Sequence, residues 1–238
     1  MDERPNATAQ TNDFEFAALK EAQNYRRALF GEFGHYLRGE VVEVGAGIGQ
    51  MTEQLAKMPD VRRVVAIEPD AGYCAEHRKR LPGYELIAGT AADLPAGSQF
   101  DTVLSINVLE HIREDEAELG RYRELLRERT GALCLFVPAR PEIYAPIDKD
   151  FGHFRRYTRR ELQHKLRAAR FRIERLNYFN ALGYFAWWMN FCVLKKRKFE
   201  PSKVRFFDRL LFPIAHALET RILRPPFGQS LLAAGRPE

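Results

Sequence analysis

One apolar run that breaks directly into glycine, followed by five more apolar runs, constrains this chain more than any other feature. Val41-Val42-Glu43-Val44 leads straight into Gly45-Ala46-Gly47-Ile48-Gly49. A continuous apolar run of this length reads as a strand buried on both faces, and glycine after it lets the backbone turn with positive φ. Further runs lie at 64–67, 84–87, 101–106, 132–137 and 171–176. The stretches between them carry helical apolar spacing, at 50–58, 72–80 and 116–129, and a helix over 14–37 precedes the first run. Strands that alternate with helices in this way imply an α/β fold with a doubly wound, Rossmann-like sheet covered by helices on both faces.

The 238 residues suffice for one domain with a small appendage. Residues 1–13 are polar and lack the apolar core of a secretory signal, so they are expected to form a disordered tail. The main domain is expected over 14–177, and 178–238 is expected to be an apolar and basic segment that serves as a lid or faces a membrane. Cys74, Cys134 and Cys192 are far apart and odd in number, with no Cys/His ligand spacing. Neither a disulfide framework nor a metal site is expected, and a reducing, cytoplasmic location follows as the default. The net charge of +5 suits nucleic acid, anionic lipid or a phosphorylated substrate equally.

The glycine spacing narrows the ligand. Dinucleotide enzymes use G-x-G-x-x-G to bring a helix N-terminus to a pyrophosphate. Here the glycines are one residue tighter, Glu43 precedes them, and Glu68 lies nineteen residues beyond Gly49 at the end of the second run. An acid at that position can accept hydrogen bonds from a ribose. Together Glu43, Gly45, Gly47, Gly49 and Glu68 resemble the first motifs of the class I S-adenosylmethionine-dependent methyltransferases.

That resemblance implies S-adenosylmethionine as cofactor, with Ala46 and the glycines around its methionine portion, Glu43 near the loop, and Glu68 and Pro69 by the ribose. Gly89-Thr90-Ala91-Ala92-Asp93-Leu94-Pro95 stands where many members carry Gly-Asp-Ala-x-x-Leu-Pro, so Thr90 and the backbone of Ala91 are implied to face the adenine. Thr90 departs from the family's Asp and is the weaker acceptor, while Asp93 reads as a solvated turn acid. The segment from Phe100 to Ile112 resembles the fourth-strand motif, which implies that Asn107 and Val108 lie against the cofactor. His111 follows as a candidate general base or as a loop histidine that shapes the pocket. Tyr25, on the first helix, is a candidate to close the pocket.

Beyond Pro138 the pattern changes. Residues 144–157 read as a loop, and Gly152-His153-Phe154-Arg155-Arg156-Tyr157 resembles a bacterial subfamily found among glycan and lipid biosynthesis enzymes. His153 is a second candidate base. Arg155, Arg156 and Tyr157, ahead of a helix that starts at Thr158, are candidate contacts for an anionic substrate. The alternative is that these arginines pair with Asp148, Asp150 or Glu161. In the stretch 178–194 fourteen of seventeen residues are apolar, which is short for a membrane span. Trp187 and Trp188, followed by Lys195-Lys196-Arg197-Lys198, suit either a hydrophobic lid or contact with an anionic membrane through 178–198. A last helix is expected over 204–223, interrupted or joined at Pro213.

The acceptor expected from these features is a small, lipid-linked or glycan-related molecule, partly apolar. Enzymes that methylate base amines carry Asn/Asp-Pro-Pro-aromatic where this chain has Asn107-Val108-Leu109-Glu110, so nucleic acid is not expected. An oxidoreductase fails on the glycine spacing. A cofactor-binding or membrane-docked scaffold without turnover remains the alternative from sequence.

Overall fold

The computed structural model describes residues 20–222 and 224–238. The expected helix over 14–37 begins outside these residues, as does all of the expected tail. The described part of that helix is α1 (Gln23–Phe33), which ends in a 3₁₀ turn at Gly34–Tyr36. The chain divides into two compact units of interleaved segments. Among the described residues the first comprises 33–137, 159–177 and 232–238, and the second 20–32, 138–158, 178–222 and 224–231.

The first unit is built on the sheet. Its elements in order are β1 (Gly39–Val44), α2 (Gln50–Leu55), β2 (Val61–Glu68), α3 (Ala71–Arg80), β3 (Glu85–Ala88), β4 (Thr102–Ile106), α4 (Asp115–Glu124) and β5 (Ala132–Pro138). After the second unit contributes α5 (Pro146–Asp150), the chain continues with α6 (Arg159–Ala168) and β6 (Phe171–Phe179). The sheet closes with β7 (Ser230–Pro237) in the order β3-β2-β1-β4-β5-β7-β6. β1 pairs in parallel with β2 and β4, β2 with β3, and β4 with β5. Val41, Val42, Val103, Leu104 and Leu135 are fully enclosed, as expected for central parallel strands covered on both faces.

β7 is absent from the sequence reading, which ended the sheet at its sixth strand. Its core, Leu231-Leu232-Ala233-Ala234, is short, half of it is alanine with low strand preference, and glycine and proline follow at once. Burial of these four residues to 1% exposure or less shows that tertiary packing decides the strand. A Cβ on Gly228 would meet Phe179 backbone oxygen, and one on Gly235 would meet Arg172 backbone oxygen. Rising numbers on one strand oppose falling numbers on the other, so β7 runs antiparallel to β6.

α4 is shorter than the expected 116–129 because Phe100 captures the chain beyond it. Phe100 N–H donates to Leu125 O at 2.8 Å, and Arg127 N–H donates to Phe100 O at 3.0 Å. In the second unit, the expected loop at 144–157 contains α5. The stretch 178–194 forms α7 (Ala181–Trp187) and a π-type turn at Trp188–Val193. The expected last helix is three pieces, α8 (Pro201–Phe206), a π-type turn at Phe207–Leu211 and α9 (Phe212–Arg221). Pro213 sits in the first turn of α9, where its missing N–H costs no helical bond. Among the described residues no helix is long and apolar enough to cross a membrane.

Candidate active site

The ends of β1 and β2 are tied together by the glycine loop. Gly45 N–H and Ala46 N–H both donate to Ile67 O at 2.9 Å, and Gly47 N–H donates to Glu68 Oε2 at 2.8 Å. Gly45 and Gly49 have φ of +75° and +82°, a region that other residues enter only with strain. Space is also short at both. A Cβ on Gly45 would lie 2.3 Å from Val108 Cγ2, and one on Gly49 would lie 2.7 Å from Leu81 Cδ1 and 2.8 Å from His77 Cδ2. Gly45 thus admits the residue after β4, and Gly49 admits α3. Gly47 contributes its N–H.

Two buried acids flank this loop. Glu43 is 4% exposed and accepts the Thr52 hydroxyl proton at 2.6 Å. Burial raises its pKa to about 8, the Thr52 hydrogen bond opposes that rise, and the charge of Glu68 adds to it. Thr52 Oγ1 also lies 3.1 Å from His77 Nε2, so Glu43, Thr52 and His77 form one buried polar chain beneath the loop. Burial, with Arg80 and Arg78 behind it, holds the His77 pKa below its ordinary value. With the Thr52 proton on Glu43, its oxygen accepts the His77 Nε2 proton, the neutral tautomer. Glu68 accepts Gly47 N–H on one oxygen and Asp70 N–H, at 2.9 Å, on the other. Its pKa is raised by burial against these two bonds.

A pair of buried acids whose charged forms are disfavoured is a poor host for an anion and a good one for a cation. S-adenosylmethionine carries an ammonium and a sulfonium, so the donor set fits that group.

The neighbouring loops complete the end of the sheet. Thr90 donates its N–H and its hydroxyl to Asp93 Oδ2 at 2.7 and 2.9 Å, and its oxygen accepts Ala92 N–H at 3.3 Å. Asp93, read from sequence as a solvated turn acid, is exposed but closes this turn, and the Thr90 bonds hold its pKa below the ordinary value. Ala91 is buried and Pro69 exposed. Asn107 takes φ of +53°, a conformation asparagine tolerates better than most, and donates its N–H to Phe136 O at 2.9 Å. Val108 then meets Gly45, and Leu109–His111 form a 3₁₀ turn with Leu109 and Glu110 buried and His111 half-buried.

Tyr25, His153, Arg155, Arg156 and Tyr157 belong to the second unit. Tyr25 packs edge-on against Phe179 at 5.1 Å between ring centroids, and burial pushes its phenol well above the ordinary range despite a hydrogen bond with Ser230. Asp148, fully buried, organises the segment around it. It accepts Ala145 N–H at 2.8 Å, His153 Nδ1 at 3.0 Å and Arg156 Nε at 2.9 Å. Arg156 also donates to Ala139 O at 3.1 Å and lies over the Trp187 ring at 4.4 Å. The ion pair with Asp148, the alternative weighed from sequence, is therefore present for Arg156. Tyr157 is fully buried, and Arg155 is half-buried.

Sequence reasoning did not select Thr52, His77 or Asp148 as organising residues. The available signals were a threonine between Met51 and Leu55 on the buried side of α2, and an acid, Asp148, directly after the uncharged stretch from Ile143 to Ile147.

A mixed sheet in this strand order, parallel from β3 to β5, with a glycine loop and two buried acids at the ends of its first two strands, defines the class I methyltransferase fold. Residues 41–129 match the family model described as a methyltransferase domain. Those residues carry a methyltransferase domain. It is similar to a chain from the complex between the Haloferax volcanii Trm112 methyltransferase activator and its candidate methyltransferase, at 14% identity and a TM-score of 0.65, covering 100% of both chains. It is also similar to an S-adenosylmethionine-dependent methyltransferase of Thermotoga maritima, at 18% identity and a TM-score of 0.62, covering 97% of this chain and 95% of that one. An S-adenosylmethionine-dependent methyltransferase of Mesorhizobium loti is similar at 15% identity and a TM-score of 0.59, covering 88% and 96%. At these identities the likeness shows the fold. No curated protein matches the chain.

Proposed function

We propose that the chain methylates a small, lipid-linked or glycan-related acceptor that is partly apolar, and that its donor binds at the glycine loop between Glu43 and Glu68. The observation that carries the donor site is the Glu43–Thr52 and Gly47–Glu68 arrangement, which gathers two disfavoured negative charges where a cation would relieve them. Bound there, the cofactor supplies a methyl group on an already activated sulfur. The residues of this chain then have to orient the acceptor and exclude water.

Support for the acceptor class comes from the end of β4. Val108 is lodged against Gly45, and Leu109 and Glu110 are turned inward, so this turn presents no aromatic plate for a flipped base. The resemblance of Gly152 to Tyr157 to a glycan and lipid subfamily adds to that reading, as do the exposed Phe185 and Trp188 of the second unit.

Two histidines are candidate bases. His111 follows β4 directly. Asp148 fixes the His153 ring through Nδ1, the way a carboxylate orients a catalytic imidazole. Arg155 is the proposed contact for an anionic group on the acceptor, with Arg156 and Tyr157 supporting its loop. The test is calorimetry with S-adenosylmethionine, followed by mass spectrometry of lipid and glycan extracts incubated with the protein and cofactor. An acceptor that gains one CH₂ is expected among the apolar extracts. Cofactor binding without any methylated product would instead favour the scaffold reading.

A further inference from the structure

We propose that the second unit docks on an anionic lipid surface through the outward face of residues 206–222. The acids of this stretch lie on its inward side, beside the buried Phe212: Asp208 accepts Asn24 N–H and Tyr25 N–H at 3.0 and 2.8 Å, and Glu219 accepts Asn180 N–H and Ala181 N–H at 3.1 and 2.8 Å. His216 stacks on Phe212 at 5.4 Å on the same inward side. The outward side is apolar. Phe206, Leu210, Leu211, Ile214, Leu218 and Ile222 are 42–76% exposed. A helix whose outer side faces water places its charges there. Here the acids are drawn inward to bind backbone amides, and large aliphatic side chains take their place every four residues.

A second ridge belongs to the same unit. Phe185, Trp188, Met189, Val193 and Leu194, on α7 and the turn after it, are 43–57% exposed. So many large apolar side chains on the outside of one unit exceed the scattered leucines of an ordinary surface.

Charge selects what covers them. Nine of the chain's 37 lysines and arginines lie between residues 195 and 224, against three of its 32 acids, a surplus larger than the +5 of the whole chain. Of those three acids Asp208 and Glu219 face inward, and Glu200 pairs with Lys196 and Lys203. Arg209 and Arg221 stand exposed among the aliphatic residues. A second copy of the chain would bring the same cations against these. A bilayer with acidic headgroups offers apolar depth for the ridge and negative charge for its rim. Trp188 is of the type that settles at the level of the headgroups. Since no described helix can cross a membrane, the contact is one of lying on the surface.

The inference stands apart from the acceptor, because vesicle binding is read without turnover. The full chain is sedimented with phosphatidylcholine vesicles and with vesicles containing phosphatidylglycerol as well. Binding is expected to the second kind and to weaken with salt. The variant Ile214→Glu with Leu218→Glu should bind at least about tenfold more weakly, with cofactor affinity unchanged by calorimetry. If that variant does not fold, the charge reversal Arg209→Glu with Arg221→Glu reads the same contact from its rim. A wild type that stays in solution with the acidic vesicles, or variants that bind as tightly as it does, would overturn the proposal. So would a wild-type dimer that the substitutions dissociate, because a second copy would then be what covers the ridge.

Discussion

Gly47 N–H donates to Glu68 Oε2 at 2.8 Å, so the middle glycine of the loop is held by the very acid that ends the second strand. The other Glu68 oxygen accepts Asp70 N–H at 2.9 Å, at the start of α3. One side chain therefore fixes the loop after β1 to the turn after β2. The ribose acceptor implied by family resemblance also fastens the protein's own backbone, and each carboxylate oxygen keeps a second lone pair for a ligand.

Glu68→Gln should show this double use. An amide offers one acceptor oxygen and one NH₂, so either Gly47 N–H or Asp70 N–H must face a donor. A buried donor left without its acceptor costs about 1–3 kcal/mol. The expected result is cofactor binding weakened roughly tenfold or more by calorimetry, with a lower melting temperature. An equal affinity in wild type and variant would show that Glu68 positions nothing.

Gly45→Ala separates space from backbone strain. The new Cβ would meet Val108 Cγ2 at 2.3 Å and would sit at φ of +75°. Val108→Ala removes the first obstacle and leaves the second. The double variant should therefore regain part of the stability lost by Gly45→Ala and remain below Val108→Ala by about 1–2 kcal/mol. Urea unfolding of the four proteins in the cycle measures it. Full recovery would mean that strain at this position is unimportant.

The central strands were legible in the sequence because parallel strands buried on both faces leave largely apolar runs such as Val41–Val44, broken only by Glu43, and Ala132–Val137. β7 was not, because an alanine-rich run acquires its strand character from the neighbours that enclose it. The residues of the glycine loop were legible from spacing alone. Their support was not: Thr52 meets Glu43, and His77 meets Thr52, only once α2 and α3 have packed on the sheet. Asp148 illustrates the same limit. The sequence offered three acids as partners for two arginines, and only the folded turn shows Arg156 on Asp148.

Glu43 predicts a stability that falls with pH. Its folded pKa, about 8, lies above its ordinary value of 4.5, so between these pH values the folded state holds a proton that the unfolded state has released. Stability from this group is complete below the lower value and declines as pH rises through the window, by at most about 1.4 kcal/mol per pH unit. His77, with a lowered pKa, acts in the opposite sense on the acid side. The difference between wild type and Glu43→Gln isolates the glutamate. Without cofactor, the stability of Glu43→Gln relative to wild type should rise from about pH 5 to about pH 8. Parallel pH profiles in urea unfolding would show that Glu43 is already ionised in the fold.

Arg156→Ala distinguishes an internal ion pair from a substrate contact. Burial pushes the Asp148 carboxyl upward, but His153, Arg156 and Ala145 N–H together hold it below the usual carboxylate range. Asp148 therefore contributes stability above its unfolded pKa, which is lost as pH falls through the folded one. Loss of Arg156 leaves a buried charge with its neighbours His153 and Ala145 as partners, at a cost of roughly 3–5 kcal/mol. The expected outcome is a much lower melting temperature, only partly restored by Arg156→Lys, which lacks the fork that spans Asp148 and Ala139 O. If Arg156 instead gripped an anionic acceptor, its removal would raise KM and leave the melting temperature where it was. Arg155→Ala is the matching measurement. It should raise KM for an anionic acceptor, since the proposed anion contact falls to Arg155 once Arg156 is committed to Asp148.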